Sequence, residues 1–307
     1  MNIILIDSNI EIKNNDKYAV CLGMFDGVHK GHRELILETK RLAKENNIKS
    51  SVLTFLTPTE KNKIYPFEEN LKILENLGID TVFAVNFTDE FKNYSPKHFI
   101  DKYLIEYIKA SFVVCGYNFR FGKDRMGDIN TLKNESMGAY SLTVIPEVKV
   151  NEETVSSTLI KEYIKQGAID KVNLLLGEPY RVSGVVLEGK KLGRQINFPT
   201  INMPVEKYVT LLKPGVYSSK VLLGDKMYNS ISNIGTSPTV SKKNEVIAET
   251  YIMDFTGDLY NKYMKVYFLG FIRDEKKFEN LEELKNTIKL NLDTAKKQLK
   301  ESELYEY

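Results

Sequence analysis

Strand-like apolar runs alternate with amphipathic stretches over the first 120 residues, and this alternation constrains the fold more than any other feature of the sequence. The successive segments lie at 17–25, 33–47, 49–55, 67–78, 80–87, 96–110 and 111–119, with apolar runs first, third, fifth and seventh. Near-continuous apolar strands separated by helices are typical of a parallel sheet that is covered on both faces. We therefore predict an α/β domain with a doubly wound parallel sheet, whose ligands bind at the carboxyl ends of the strands.

The sequence pattern changes near residue 180. Gly177 and Pro179 punctuate the chain after a helical stretch, since glycine ends helices well and proline cannot continue them. Short β-like runs separated by Gly, Asn and Pro turns follow at 181–189, 215–224, 226–235, 246–255 and 262–272. This pattern predicts a small β-barrel, and apolar residues three and four apart between Leu281 and Leu299 predict a terminal helix. The predicted domains are 1–179 and 180–307.

Composition restricts the classes of function. Apolar residues make up 42% and charged residues 27% of the 307 residues, and the net charge is +2. These values are ordinary for a globular protein and give no support for a nucleic-acid or anionic-membrane partner. Cys21 and Cys115 lie in apolar runs, which indicates a reducing compartment. No run of apolar residues is long enough to span a membrane and the start does not resemble a signal peptide, so we expect a cytoplasmic protein.

The segment GMFDGVHKGH, at 23–32, contains two of the three histidines in the chain. His29 and His32 could form a metal-binding pair, but no further zinc-type ligands lie nearby, or they could cap a helix. The third interpretation is a nucleotide site, because a strand, a glycine-containing turn and a helix N-terminus form a ready phosphate site. Gly31 would let a base or phosphate approach the backbone, and imidazolium groups would stabilise charge on a transferring nucleotidyl group. His98, near a helix start, is expected to be a capping or surface residue.

A second segment, VSSTLIK at 155–161, supports the nucleotide interpretation. Ser156, Ser157 and Thr158 precede a predicted helix, and Lys161 adds a positive charge. Taken alone, these hydroxyls fit an ordinary helix cap equally well. Combined with the histidine segment, they predict attack of an anionic acceptor on the α-phosphate of ATP, with pyrophosphate as the leaving group.

In the second half, GVVLEGKK at 184–191 approaches a P-loop but lacks the final hydroxyl and the helix that must follow, so the P-loop interpretation is rejected. Thr200 and Asn202 are alternate residues of an extended segment, where they could ligate Mg²⁺ or simply form a strand edge. Glu249 lies in an apolar strand and is a candidate base for a hydroxyl that attacks a γ-phosphate. Arg273 and Glu275 could be a surface pair or could close over a ligand.

Taken together, these segments resemble the bacterial bifunctional riboflavin kinase/FMN adenylyltransferase (FAD synthetase) family over nearly the whole chain. The matching pieces, in order, are GMFDGVHKGH, VVCGYNFRFG, VSSTLIK, LLGEPYRVSG, GRQINFPTIN, PGVYSSKV, NIGTSPT, ETYIMDFTGDLY and IRDEKKF. The resemblance implies a nucleotidylyltransferase-type α/β domain followed by a six-stranded riboflavin kinase barrel.

The resemblance also implies two reactions. The barrel would phosphorylate riboflavin to FMN with MgATP, and the first domain would transfer AMP from ATP to FMN, giving FAD and pyrophosphate. Glu249 would be the kinase base, Thr200 and Asn202 would hold Mg²⁺ and phosphate, and His29 and His32 would act in adenylyl transfer. The other site residues implied are, for the adenylyltransferase, Gly23, Phe25, Asp26, Gly31, Asn118, Ser156, Ser157, Thr158 and Lys161, and, for the kinase, Gly189, Lys191, Gly193 and the flavin-binding Arg273.

Some positions depart from the family pattern and leave alternatives open. TFLTPTEK at 54–61 replaces the usual TF-x-P-H-P, Lys161 stands where the family has arginine, and Ser237 and Tyr251 replace an arginine and a histidine. One alternative is a riboflavin kinase whose adenylyltransferase half is weak or inactive. Others are a flavin or nucleotide sensor without catalysis, and transfer of the nucleotide to a different phosphorylated metabolite. Whether the chain forms a homo-oligomer is also left open.

Overall fold

A computed structural model of the chain describes residues 1–6, 16–56, 62–189, 193, 197–206, 209–237 and 245–301. The chain divides into two units, the first formed by Met1–Glu60 and Tyr65–Ser156 and the second by Lys61–Ile64 and Ser157–Tyr307. This division places the helices between residues 157 and 176 with the second unit. The domain boundary at 179/180 stays a prediction from the sequence.

A six-stranded parallel sheet forms the centre of the first unit. Its strands are β1 (Asn2–Ile6), β2 (Tyr18–Leu22), β3 (Lys49–Leu56), β4 (Thr81–Asn86), β5 (Ala110–Gly116) and β6 (Ser141–Ile145). Their order is β1-β4-β3-β2-β5-β6, and every neighbouring pair is parallel. The strand order reverses at β2, between β3 and β5, which is the switch point where such sheets bind ligands.

Helices cover both faces of this sheet, as the near-continuous apolar strands predicted. On one face lies α1 (Lys30–Glu45), which buries Leu35 and Ile36. On the other lies a π-helix (Phe99–Tyr107), whose Phe99 joins the core cluster that includes Tyr18 of β2. The sequence predicted an ordinary helix over 96–110. The structure has instead a short α-helix followed by the π-helix, which ends with an N–H of Ile108 donating to the carbonyl of Tyr103, five residues back.

Shorter elements complete the first unit. They are α2 (Phe67–Asn76), α3 (Asp89–Lys92), α4 (Pro96–His98), a 3₁₀ turn (Lys123–Arg125), α5 (Ile129–Glu135), β7 (Lys149–Val150) and β8 (Glu153–Thr154). Strands β7 and β8 pair as an antiparallel hairpin just before the end of the unit.

The second unit starts with two helices and continues as an antiparallel sheet that nearly closes into a barrel. Its elements are α6 (Ser157–Gln166), α7 (Ile169–Leu176), β9 (Arg181–Val185), β10 (Thr200–Pro204), β11 (Gly215–Leu223), β12 (Lys226–Ser237), β13 (Glu245–Ile252), β14 (Tyr263–Arg273) and α8 (Leu281–Glu301). The strand order is β10-β13-β12-β11-β14-β9. A bridge between Leu187 and Asn202 connects the two edges, which confirms the predicted six-stranded barrel.

The terminal helix α8 packs against the barrel, and its most buried contacts lie in its second half. Ala295 and Leu299 are buried against Ile231 and Leu269. Leu281, the first member of the predicted apolar stripe, is 52% exposed, because it lies at the start of the helix, where the stripe has no partner surface. Among the described residues, no helix combines the length and the hydrophobicity needed to cross a membrane.

Candidate active sites

The two histidines of the first unit lie at the switch point, in the turn between β2 and α1. The turn uses left-handed backbone at Phe25, Gly27 and Val28. His29 is the N-cap of α1, and its Nδ1 accepts a hydrogen bond of 3.3 Å from the backbone N–H of His32. The two imidazole rings stack at 3.7 Å between centroids with 13° between their planes. Helix capping and ring stacking therefore fix both histidines at the start of a 16-residue helix.

Burial determines the charge of this pair. His29 is 6% exposed, and burial lowers the pKa of its imidazole to about 4. The pKa of His32 lies well below its usual range, first because of burial and second because of the neighbouring His29. Neutral His29 must carry its proton on Nε2, because Nδ1 accepts from the helix backbone. Burial and the helix cap therefore favour neutral rings over the imidazolium donors expected from the sequence, and the part that the two histidines play in catalysis stays a prediction.

The sequence predicted that a base or phosphate approaches the backbone at Gly31. In the structure, the groups close to Gly31 are His29 and Val155 of the first unit itself. A Cβ added to Gly31 would be 3.3 Å from the His29 ring and 3.9 Å from the carbonyl oxygen of Val155. Phe25 contacts the His32 ring at 5.0 Å between centroids, and a Cβ on Gly23 would lie 3.1 Å from the Phe25 ring. These small residues therefore make room for a tightly packed aromatic turn.

The segment 155–161, which carries the predicted serines, begins next to this turn: its first residue, Val155, lies near Gly31. Val155, which faces Gly31, is fixed by an N–H that donates to the carbonyl of Val148, and Ser156 is the last residue of the first unit. Ser157 starts α6 in the second unit, and Thr158 and Lys161 follow in its first two turns. Their participation in one site with the histidines stays a prediction. Asp26, predicted for the same site, is buried in the histidine turn.

Another candidate binding region in the first unit is a cavity of about 700 Å³ beside the histidine turn, of which the sequence indicated only Gly23 and Asn118. Gly23 and Met24 at the end of β2 and Asn118 after β5 belong to its wall. Six phenylalanine rings form the apolar part of the remaining wall: Phe55, Phe87, Phe91, Phe99, Phe119 and Phe121. Several of these rings follow the carboxyl ends of strands, so their common location in the sheet is the signal that could have identified them.

The barrel of the second unit contains a cavity of about 290 Å³ at its predicted catalytic residue. Glu249 of β13 and Thr200 of β10 both line it, and the Thr200 hydroxyl donates a hydrogen bond of 2.7 Å to Oε1 of Glu249. Asn202 lies directly opposite Glu249 in the strand register. Arg273 lines the same cavity, and its Nε donates to Oδ1 of Asn291 at 3.2 Å. The structure therefore brings together four of the residues predicted for the kinase site, Thr200, Asn202, Glu249 and Arg273.

A second cavity of the barrel, of about 470 Å³, shares Thr200 with the first. It extends along the 255–260 segment and includes Phe255 and Tyr260. Gly189 is close to the strand pair, since a Cβ on it would overlap the amide of Asn202. Gly193 lines the first cavity, whereas the predicted Lys191 lies outside the described residues. Thr200 thus lines two ligand-sized spaces.

Comparison with known proteins assigns the two halves separately. The family described as FAD synthetase matches residues 11–159, and the family described as riboflavin kinase matches residues 176–299. A bifunctional riboflavin kinase/FMN adenylyltransferase from Bacillus subtilis strain 168 is 32% identical over 283 residues, covering 89% of each chain. The protein of the same description from Escherichia coli K12 is 33% identical over 280 residues, covering 88% of this chain and 89% of that one.

Among solved structures, one described as a macrolide-efflux protein from Streptococcus pneumoniae superposes with a TM-score of 0.87 at 28% identity, covering 96% of this chain and 99% of that one. These comparisons confirm the resemblance and the fold class predicted from the sequence. The chain belongs to the bifunctional riboflavin kinase/FMN adenylyltransferase family.

Proposed function

We propose that the chain converts riboflavin to FAD in two successive transfers from ATP, with the kinase in the barrel and the adenylyltransferase in the α/β unit. Membership of the family supports a transferase that takes riboflavin and ATP and produces FMN and then FAD. The observation that supports the residue assignments is the hydrogen bond to Glu249 from Thr200, a residue that lines both cavities of the barrel. This arrangement fits the transfer of a phosphoryl group from one bound molecule to another.

In the kinase step, Glu249 acts as the base. Its carboxylate accepts the proton of the terminal ribityl hydroxyl of riboflavin as that oxygen bonds to the γ-phosphorus and the bond to ADP breaks. Riboflavin would occupy the cavity that Arg273 lines, and ATP the cavity along residues 255–260, which meet at Thr200. The Thr200 hydroxyl keeps the carboxylate oriented, because its 2.7 Å hydrogen bond leaves the second carboxylate oxygen to face the substrate.

The oxygens around Glu249 fit a magnesium ion. A hydroxyl and an amide carbonyl are hard ligands of the kind Mg²⁺ prefers, and Thr200 and Asn202 supply them on the strand that pairs with the strand of Glu249. Thr200 and Asn202 would hold the ion, which would neutralise charge on the transferred phosphoryl group.

In the adenylyl step, an oxygen of the FMN phosphate bonds to the α-phosphorus of ATP and the bond to pyrophosphate breaks. No protein nucleophile is needed, because the acceptor is already an anion. The start of α1 offers free backbone N–H groups and the positive end of the helix dipole, and neutral His29 donates through Nε2–H. Ser156, Ser157, Thr158 and Lys161 would supply further phosphate contacts. The phenylalanine-lined cavity suits the flat flavin ring.

We also propose a cytoplasmic location, which the two buried free thiols of Cys21 and Cys115 support. Neither reaction requires a nucleic acid or a membrane, and the proposal is independent of the oligomeric state.

Incubation of the protein with riboflavin and MgATP, followed by chromatographic separation of the flavins, tests the proposal. FAD should accumulate with FMN as a transient intermediate. FMN as the end product would favour the alternative with an inactive adenylyltransferase half, and unchanged riboflavin would contradict the whole proposal. Glu249→Gln should abolish FMN formation and still allow FAD formation from supplied FMN, whereas His32→Ala should stop the pathway at FMN. Equal loss of both reactions in either variant would contradict the division of labour.

A further inference from the structure

Four cationic side chains surround the phenylalanine-lined cavity of the first unit, with one carboxylate, that of Asp124. The four cations are those of Lys92, Arg120, Lys123 and Arg125. Two of them are neutralised locally, because Lys92 pairs with Asp89 at 2.8 Å and Arg120 with Asp128 at 3.3 Å. In the part of the chain that the structure describes, Lys123 and Arg125 form no ion pair with a carboxylate. The excess positive charge of this largely apolar wall therefore lies at Lys123 and Arg125.

Both residues belong to a tightly held turn, residues 122–126, which we call the basic turn. Two backbone hydrogen bonds join its flanking residues: the N–H of Phe121 donates to the carbonyl of Gly127 at 3.1 Å, and the N–H of Gly127 donates to the carbonyl of Phe121 at 2.9 Å. The N–H of Lys123 donates to the carbonyl of Tyr94 at 2.8 Å. A Cβ on Gly122 would lie 2.9 Å from the backbone nitrogen of Pro96, which leaves no room for movement toward that segment.

The basic turn also carries backbone strain. Asp124 and Arg125 have φ of 53° and 58°, in the left-handed region that non-glycine residues rarely adopt. Strained backbone persists where the surrounding structure enforces it, and such positions cluster at ligand sites. Here the enforced backbone conformation holds the Cα positions of Lys123 and Arg125 beside the cavity, which both residues line.

The reaction requires a distinction that aromatic walls cannot make. Riboflavin and FMN share the same ring system and differ by one phosphate group, and both occur together because one half of the chain makes FMN from riboflavin. Phenylalanine rings bind the two flavins equally. A phosphate carries nearly two negative charges at neutral pH, so cationic side chains beside the cavity favour FMN strongly.

We propose that the basic turn binds the phosphate of FMN and selects FMN over riboflavin in the adenylyltransferase half, with Lys123 and Arg125 as the specificity-determining side chains. This inference rests on the proposed function of the first unit. It adds that the phosphate of the acceptor is bound from the cavity side, whereas the phosphates of ATP are bound at the start of α1.

Steady-state kinetics of FAD synthesis from FMN, with the full chain and saturating MgATP, test the proposal. Each of Lys123→Gln and Arg125→Gln should raise KM for FMN by about 10-fold, and the double variant by about 100-fold, as expected for loss of hydrogen bonds to a charged group. We expect changes of less than about 2-fold, the scatter of distant surface substitutions, in three other quantities: KM for ATP, kcat of FAD synthesis, and the rate of riboflavin phosphorylation in the second unit. Lys133→Gln, an exposed lysine of α5, is the matched control and should match the wild type.

The outcomes separate the alternatives. A rise in KM for ATP without a rise in KM for FMN would assign the basic turn to the nucleotide phosphates and overturn the proposal, and so would kinetics identical to those of Lys133→Gln. A wild-type protein that makes no FAD from FMN would refute the proposed function itself, before any variant is compared.

A measurement on the wild type covers the case in which the double variant does not fold. Raising KCl from 50 to 300 mM at saturating MgATP should increase KM for FMN several-fold, since salt screens exposed charges. KM for the uncharged riboflavin in the kinase reaction serves as the reference and should stay nearly constant. If the two constants respond equally to salt, recognition of FMN does not use exposed charge and the proposal fails.

Discussion

The stacked histidines make a sharp prediction about protonation. His29 caps α1 through Nδ1, and a proton on that atom would turn the acceptor of the 3.3 Å hydrogen bond into a donor facing another donor. Burial acts in the same direction and lowers the pKa of His29 to about 4. Lowering the pH from 7 to 5 is therefore the perturbation, and His29→Asn is the matched variant, because asparagine is also a good N-cap but does not titrate in this range.

The magnitude follows from the pKa values. An unfolded histidine titrates near 6.5 and His29 near 4 in the folded protein, a difference that corresponds to about 3 kcal/mol. Between these two pH values the unfolded state binds the additional proton. The stability that His29 contributes is therefore fully present above about pH 6.5 and is lost as the pH falls through this window. Between pH 6.5 and 5 the expected loss is about 2 kcal/mol from this residue alone.

Two measurements check this prediction. The chain has three histidines, so the imidazole proton resonances of the full chain can be assigned with single variants and titrated by NMR. Urea denaturation at pH 7 and pH 5 gives the linked loss of stability, which should be about 2 kcal/mol smaller in His29→Asn than in the wild type. His98→Asn changes an exposed histidine of the same unit and is the control. A His29 resonance that titrates near 6.5, or an acid sensitivity that is unchanged in His29→Asn, would refute the reasoning.

Further predictions concern both units. Thr200→Val should lower kcat of riboflavin phosphorylation by about 10-fold to 100-fold, because the carboxylate of Glu249 loses its 2.7 Å hydrogen bond, while FAD synthesis from FMN, measured separately, stays unchanged. Gly31→Ala should slow FAD synthesis selectively, since the new Cβ at 3.3 Å presses on the neighbouring imidazole ring; equal activity would show that the ring has room to move. Leu299→Ala should lower the free energy of unfolding by about 2–4 kcal/mol, as expected for a buried leucine, whereas Leu281→Ala, at an exposed position, should change it by less than about 0.5 kcal/mol in the same urea experiment.

The sequence was sufficient for the architecture because both halves have strong local periodicity. The run 17–25 contains the strand Tyr18–Leu22, which is buried throughout as expected of a strand inside a parallel sheet, and the β-runs between 181 and 272 are separated by turn residues. The π-helix at Phe99–Tyr107 was not predictable in this way, because its apolar spacing also fits an α-helix. Periodicity also failed to predict the exposure of Leu281, because it indicates which face of a helix is apolar but not how far the surface that this face packs against extends.

The candidate sites were predictable where chemistry is tied to a short segment. Glu249, Thr200 and Asn202 are close in the barrel because strands β10 and β13 pair in one register, and the isolated carboxylate in an apolar strand was the signal that indicated this location. The phenylalanine-lined cavity draws its wall from five separate parts of the first unit, between Gly23 and Arg125. No local pattern relates Phe55 to Phe121, so this site required the three-dimensional arrangement of the strand ends.

The charge of the histidine pair also determines how the two reactions respond to pH. The acceptor of the kinase step is a hydroxyl and needs Glu249 as a base, whereas the acceptor of the adenylyl step is a phosphate whose second pKa is near 6. If neutral His29 donates through Nε2–H, kcat/KM for FMN should rise as FMN becomes a dianion and then stay constant up to pH 9. An imidazolium donor would instead give a bell-shaped profile that falls above the histidine pKa. Because burial and the N-cap both keep the His29 ring neutral, we expect the plateau, and a decline between pH 7 and 9 would show that ATP binding protonates the pair.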